Sequence, residues 1–187
     1  MNIFEHTDVK TGDLLISEPF LPDPNFSRSV VLICNDSNGH VGFVLNQMTD
    51  LFVSDVLKSW EDRGIHIYIG GPVDQNTLHF IHPYGESLTG SVQITDNLYW
   101  GGDLEELKEK IDLCIFDKAQ IRFFVGYSGW SEGQLKNELV EKSWIVLKSH
   151  NVNLLNTEPS QLWREILKGK GGEYQQLANY PIDPNLN

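Results

Sequence analysis

Ile121-Arg122-Phe123-Phe124-Val125, followed by Gly126-Tyr127-Ser128-Gly129-Trp130-Ser131-Glu132-Gly133-Gln134-Leu135, is the stretch from which the fold is read. The first five residues are an apolar run of strand length, and two glycines then break the chain. Ser131 with Gln134 three residues later has the spacing of a capping box, in which each side chain satisfies a backbone N–H of the other. The segment therefore predicts a strand, a tight glycine turn and a capped helix from Gln134 to Lys142, with Leu135 and Leu139 facing inward. Such a layout leaves backbone N–H groups free at a helix start, where anions and polar ligands bind.

Working toward the N-terminus, Gly12–Ser17 predicts a first strand closed by Pro19, Pro22 and Pro24. Ser29–Cys34 is continuously apolar and predicts a strand buried on both faces. The turn formers Asn35-Asp36-Ser37-Asn38-Gly39 reverse it into Val41–Leu45 as a hairpin. Val53, Val56, Leu57 and Trp60 fall on one face of a short helix, and Ile65–Ile69 returns as a strand ending at Gly70-Gly71-Pro72. Residues 78–82 and 91–94 are weaker strands. Asp103 with Glu106 opens a helix through Lys110, and Thr157-Glu158-Pro159 opens another that buries Leu162, Trp163, Ile166 and Leu167. Hairpins first and helices later predict an α+β domain rather than a doubly wound parallel sheet.

The length of 187 residues suits one domain spanning 1–187, and nine Phe, six Tyr and five Trp supply a core. The glycine- and asparagine-rich residues 169–187 read as a loosely held tail. No apolar run reaches the roughly 20 residues that span a bilayer. Met1–His6 lacks the basic and apolar regions of a signal peptide, and the two cysteines, Cys34 and Cys114, form no disulfide framework, so the expected compartment is the cytoplasm. With 14 basic against 26 acidic residues, net −12, and no basic cluster beyond Lys168-Gly169-Lys170, binding duplex DNA would need a strongly polarised surface or a partner, and direct nucleic-acid binding is not expected.

The chain resembles the AlgH/YqgE family of bacterial proteins over nearly its whole length. The resemblance is carried by Gly12–Ser17, Phe26-Ser27-Arg28-Ser29-Val30-Val31, Ile33-Cys34, Gly42-Phe43-Val44-Leu45-Asn46, Gly70-Gly71-Pro72-Val73, the block from Gly126 to Trp144, and Trp163-Arg164-Glu165, taken in order. It implies a compact α+β domain whose mainly antiparallel sheet splits and curls into a partial barrel flanked by helices. The family is labelled as proposed transcriptional regulators, without a recognised DNA-binding motif, and brings no established enzymatic activity. After Cys34 this chain departs from the pattern: Asn35-Asp36 and a shorter loop ending at His40 replace an acidic residue, a histidine and a Gly-Ala turn. A role for that histidine therefore does not carry over.

Candidate chemistry is sparse, and no catalytic residue is assigned. Ser128 sits in a strand–turn–helix context, but the second glycine falls one position early for a nucleophile elbow. Its family counterparts include alanine, so it reads as a small turn residue. Cys34, at the end of its strand, is the candidate redox or nucleophilic residue, which requires a stabilised and reachable thiolate. His79 and His82 lie three apart on a strand and point to opposite faces, which disfavours a shared metal; no metal and no cofactor is expected. Trp60, Trp130, Trp144 and Trp163 read as core, with Trp100 partly exposed. Arg28 and Asn46 are polar residues at the edges of apolar strands, and Arg28 has Glu138 as a possible partner. They read either as a buried structural hub or, with Gly70, Gly71, Gly126, Gly129, Gln134 and Glu138, as turns converging on a small ligand. The expected function is regulatory or adaptor binding of a protein or small ligand; the alternative is an enzyme or redox sensor using Cys34.

Overall fold

A computed structural model describes residues 8–148 and 153–180. Met1–His6, read above for a signal sequence, and 181–187 of the tail lie outside the described residues. The fold is mixed α+β, a curled antiparallel half-barrel with several helices. Its strands are β1 (Leu14–Ser17), β2 (Val30–Asn35), β3 (His40–Val44), β4 (Met48–Phe52), β5 (His66–Ile69), β6 (Val73–His82), β7 (Val92–Thr95), β8 (Leu98–Trp100), β9 (Arg122–Trp130) and β10 (Trp144–Leu147). Helices are α1 (Val53–Val56), α2 (Leu104–Asp112), α3 (Gln134–Val140), α4 (Pro159–Lys170) and α5 (Gly172–Leu177). The sheet runs β10-β1-β2-β3-β9-β6-β8-β7, and β5 attaches to β9 and carries β4.

Period-two alternation explains the continuous apolar runs. Leu14, Ile16, Val30, Leu32, Cys34, Phe43 and Leu45 face one core, where α4 contributes Leu162, Trp163, Ile166 and Leu167. The intervening Leu15, Val31, Ile33 and Val44 face a second core with Trp130, Leu135 and Trp144. Both faces of the β1–β3 meander are thus covered. Each large side chain so buried contributes roughly 1.5–3 kcal/mol. A third core joins Val53, Trp60, Ile67, Phe80 and Phe123 to Leu107 and Ile111 of α2.

Helix starts follow their capping chemistry. Asp103 accepts the Glu106 N–H at 2.8 Å ahead of α2, and Pro159 begins α4 where its missing N–H costs nothing. Elsewhere the structure corrects the expectations. The helix drawn through Val53–Trp60 is a single turn, Val53–Val56; Val53 and Trp60 are buried, whereas Val56 is exposed. The tail assigned to 169–187 is held as far as Tyr180. α4 runs to Lys170, α5 follows, and Ala178 is fully buried. Lys168 and Lys170 occupy the last turn of α4, as their cationic character favours. No helix among the described residues is long and apolar enough to cross a membrane.

Candidate functional site

The segment from Gly126 to Gly129 is strand, not turn. β9 continues through it to Trp130, and the glycine marks a change of partner. Phe123, Phe124 and Val125 pair in parallel with Ile67, Tyr68 and Ile69 of β5. Beyond Gly126, Ser128, Gly129 and Trp130 pair antiparallel with Gly42, Val41 and His40 of β3. The hand-over needs the positive φ of 65° that Gly126 supplies. Gly70 lies in the crook, donating its N–H to the Val125 carbonyl at 2.9 Å and accepting the Val44 N–H. Ser128 closes the crossing: its Oγ donates to the Gly70 carbonyl at 2.9 Å, and the residue is fully buried. Gly70, Gly71 and Gly126 do come together, but backbone against backbone. A Cβ on Gly71 would lie 2.3 Å from the Tyr127 carbonyl carbon, which leaves no room for a ligand at that crossing.

The turn falls later, at Ser131–Gly133, and α3 begins at Gln134. Only half of the expected capping box forms. Ser131 N–H donates to Gln134 Oε1 at 3.1 Å, while the N-cap position is Gly133 in the left-handed region. Glu138 acts as a clamp: its Oε2 accepts from the indole N–H of Trp130 at 2.8 Å and of Trp144 at 2.7 Å. Gln134 Nε2 donates to its other oxygen at 3.0 Å. One carboxylate thereby ties the end of β9 to the start of β10 across α3. Arg28 makes no ion pair with Glu138.

Arg28 and Asn46 sit at a different place. Asn46 substitutes for a strand neighbour, donating from Nδ2 to the Arg28 carbonyl and accepting the Val30 N–H, both at 2.9 Å. This holds Arg28 at φ 50°, which a non-glycine residue adopts only when its surroundings insist. The guanidinium lies over the Trp163 ring, 5.0 Å from its centroid, and Nη2 donates to the Tyr180 carbonyl at 2.5 Å. Trp163 is itself fixed by an indole N–H bond to the Ser17 carbonyl. The next residue, Arg164, donates from Nε to the Ala178 carbonyl. Burial first, then the Arg164 charge, holds the Arg28 guanidinium below its ordinary value. Arg164, quoted above only within a family motif, is thus a neighbour of Arg28 that strand and helix patterning had not singled out.

Arg122 also escaped the reading, though a charged residue inside an apolar strand is a legible signal. It is buried, donates to the carbonyls of Leu45 and Leu155, and lies over the ring of Tyr68. Those contacts tie β9 to the segment preceding α4.

The remaining candidates are enclosed. Cys34 is buried, and desolvation drives its thiol far above its ordinary value; a protonated, unreachable thiol is a poor nucleophile. Cys114 is exposed. In native protein one thiol should therefore react promptly with a disulfide reagent and the second only on unfolding, countable from released chromophore; two fast thiols would contradict this burial. His79 and His82 take opposite faces: His79 packs beside Phe43, and His82 is bonded to the Gly101 carbonyl at 2.8 Å. Among the described residues no group of three or more His, Cys, Asp or Glu is placed to hold a metal. Trp60, Trp130, Trp144 and Trp163 are buried and Trp100 is partly exposed.

Comparison with known proteins is consistent across sequence and structure. A family profile described as AlgH-like matches residues 14–175. A UPF0301 protein of Cytophaga hutchinsonii is 45% identical over 94% of this chain and 98% of its own length. One from Chlorobium luteolum is 38% identical over all of both chains. In structure, the AlgH protein of Pseudomonas aeruginosa superposes with a TM-score of 0.72 at 24% identity, covering 91% of this chain and 94% of its own. A Corynebacterium diphtheriae protein gives 0.75 at 21% identity, covering 92% and 93%. These two share the fold.

Proposed function

The chain belongs to the AlgH-like family, and on that footing we propose that it is a regulatory or adaptor protein working by binding a protein partner or small ligand. One observation carries the reading. The groups that would perform nucleophilic chemistry are consumed by the fold, Ser128 on the Gly70 carbonyl and Cys34 in the core. Arg28 is different: a cation in the turn before β2, held in a strained backbone by Asn46 and only partly covered. Strain maintained at a polar, accessible residue is a feature of recognition sites.

In this proposal the protein is cytoplasmic and does not read DNA itself. Its net charge of −12 opposes a phosphate backbone, whose binding draws most of its affinity from Lys and Arg. Mobility-shift assays at low ionic strength should show no salt-sensitive complex with duplex DNA; a complex whose affinity falls steeply with added salt would reverse the assignment. The binding reading is tested by native mass spectrometry of gently purified protein. A stoichiometric co-purifying molecule that is lost in an Arg28→Ala variant of unchanged thermal stability supports it. A fluorophosphonate probe that labelled Ser128 would favour an enzyme instead.

A further inference from the structure

We propose that Arg28 and Arg164 together form a binding site for an oxyanion, a carboxylate or phosphate group, with the aromatic rings of Phe20 and Tyr180 at its rim. The proposal rests on the binding reading above and names the chemistry of what is bound.

This is a strongly acidic chain, and Lys10, Arg63, Lys108, Lys110 and Lys148 each pair with a carboxylate within it. Arg28 and Arg164 are among the nine basic residues, of 14 in the chain, with no carboxylate within ion-pairing distance among the described residues. What sets these two apart is that the Arg164 charge acts on the Arg28 guanidinium. Both reach the same short segment, Arg28 through the Tyr180 carbonyl and Arg164 through the Ala178 carbonyl. Each spends one N–H there. A guanidinium carries five N–H donors in a planar fork that matches carboxylate and phosphate oxygens. An anion between two such forks gains charge-assisted bonds from both and relieves their mutual repulsion.

The arrangement is also held in advance. Arg28 lies on the Trp163 face, the Trp163 indole is locked to Ser17, and Asn46 fixes the Arg28 backbone. Arg164 projects from the same turn of α4 as Trp163. Beside them the rings of Phe20 and Tyr180 meet edge to face at 5.7 Å, and they remain 53% and 46% exposed.

The test is an NMR titration of the full chain with inorganic phosphate and, separately, succinate, at constant ionic strength set by chloride. Saturable shifts are expected at the Trp163 indole and the Arg28 Nε–H. Arg164→Gln and Arg28→Lys should each weaken binding by ~10-fold or more, through loss of the bidentate fork, and Arg164→Gln should leave the melting temperature within a few degrees. Linear, non-saturating shifts, or equal affinity in Arg164→Gln, would overturn the proposal. Should no oxyanion bind while a partner still co-purifies, the adaptor reading stands and this one does not.

Discussion

Glu138→Leu lowers stability by about 3–5 kcal/mol, because two buried indole N–H groups lose a charged acceptor at once. Trp130 and Trp144 are 4% and 5% exposed, so water does not replace the carboxylate. For a domain of this size the loss corresponds to a fall in melting temperature of roughly 10 °C. Glu138→Gln keeps one oxygen able to accept, and it should fall between the leucine variant and the parent. Urea midpoints supply the energies, and the indole N–H resonances of Trp130 and Trp144 report the cause by shifting together. A leucine variant losing less than about 1 kcal/mol would mean the two indoles are held by packing alone.

Gly70→Ala should be more damaging still and prevents a soluble fold. An added Cβ would stand 2.3 Å from the Gly126 carbonyl oxygen, 2.8 Å from Phe43 Cδ1 and 3.1 Å from Phe124 Cβ. The Gly126 carbonyl and Phe124 Cβ cannot yield without moving β9, and steric insults of that kind exceed about 4 kcal/mol. Gly133→Ala is the matched control. Its Cβ meets nothing within 4 Å, and only the left-handed φ of 78° is penalised, at about 1–2 kcal/mol. Soluble yield and urea unfolding of the pair separate crowding from backbone preference. If both variants fold alike, the close crossing of β5 and β9 is looser than the contacts imply.

The difference between these two glycines also shows what the sequence could convey. β1, β2, β3 and β5 were legible because strands buried on both faces read as unbroken apolar runs. β4 was not: Met48–Phe52 is largely exposed and owes its extended form to pairing with β5. The first half of β6, Asp74-Gln75-Asn76-Thr77, has turn composition, and the pairing register does shift between Val73 and Leu78. β10 is short, follows a turn, and is fixed by β1 from the far end of the chain. In the candidate site, the glycine pairs were visible but their meaning was not. A glycine where a strand changes partner has the same local signature as one in a turn, and only the positions of β3 and β5 distinguish them. Glu138 lies eight residues from Trp130 and six from Trp144, but the three belong to a helix and two strands, so no single period betrays the contact. Arg28 meets Trp163 and Arg164 only through tertiary structure.

The partner change in β9 has a consequence for how the protein is made. β3, β5 and β6 all pair with a strand that leaves the ribosome after them, and β1 pairs with β10, Leu14 against Leu147. During synthesis the N-terminal half therefore waits with unsatisfied strand edges until residues 122–130 emerge. Closing such distant contacts is slow, and exposed edges invite association with other chains. Refolding from denaturant should share that delay, because the strand that completes the sheet must find three earlier ones at once.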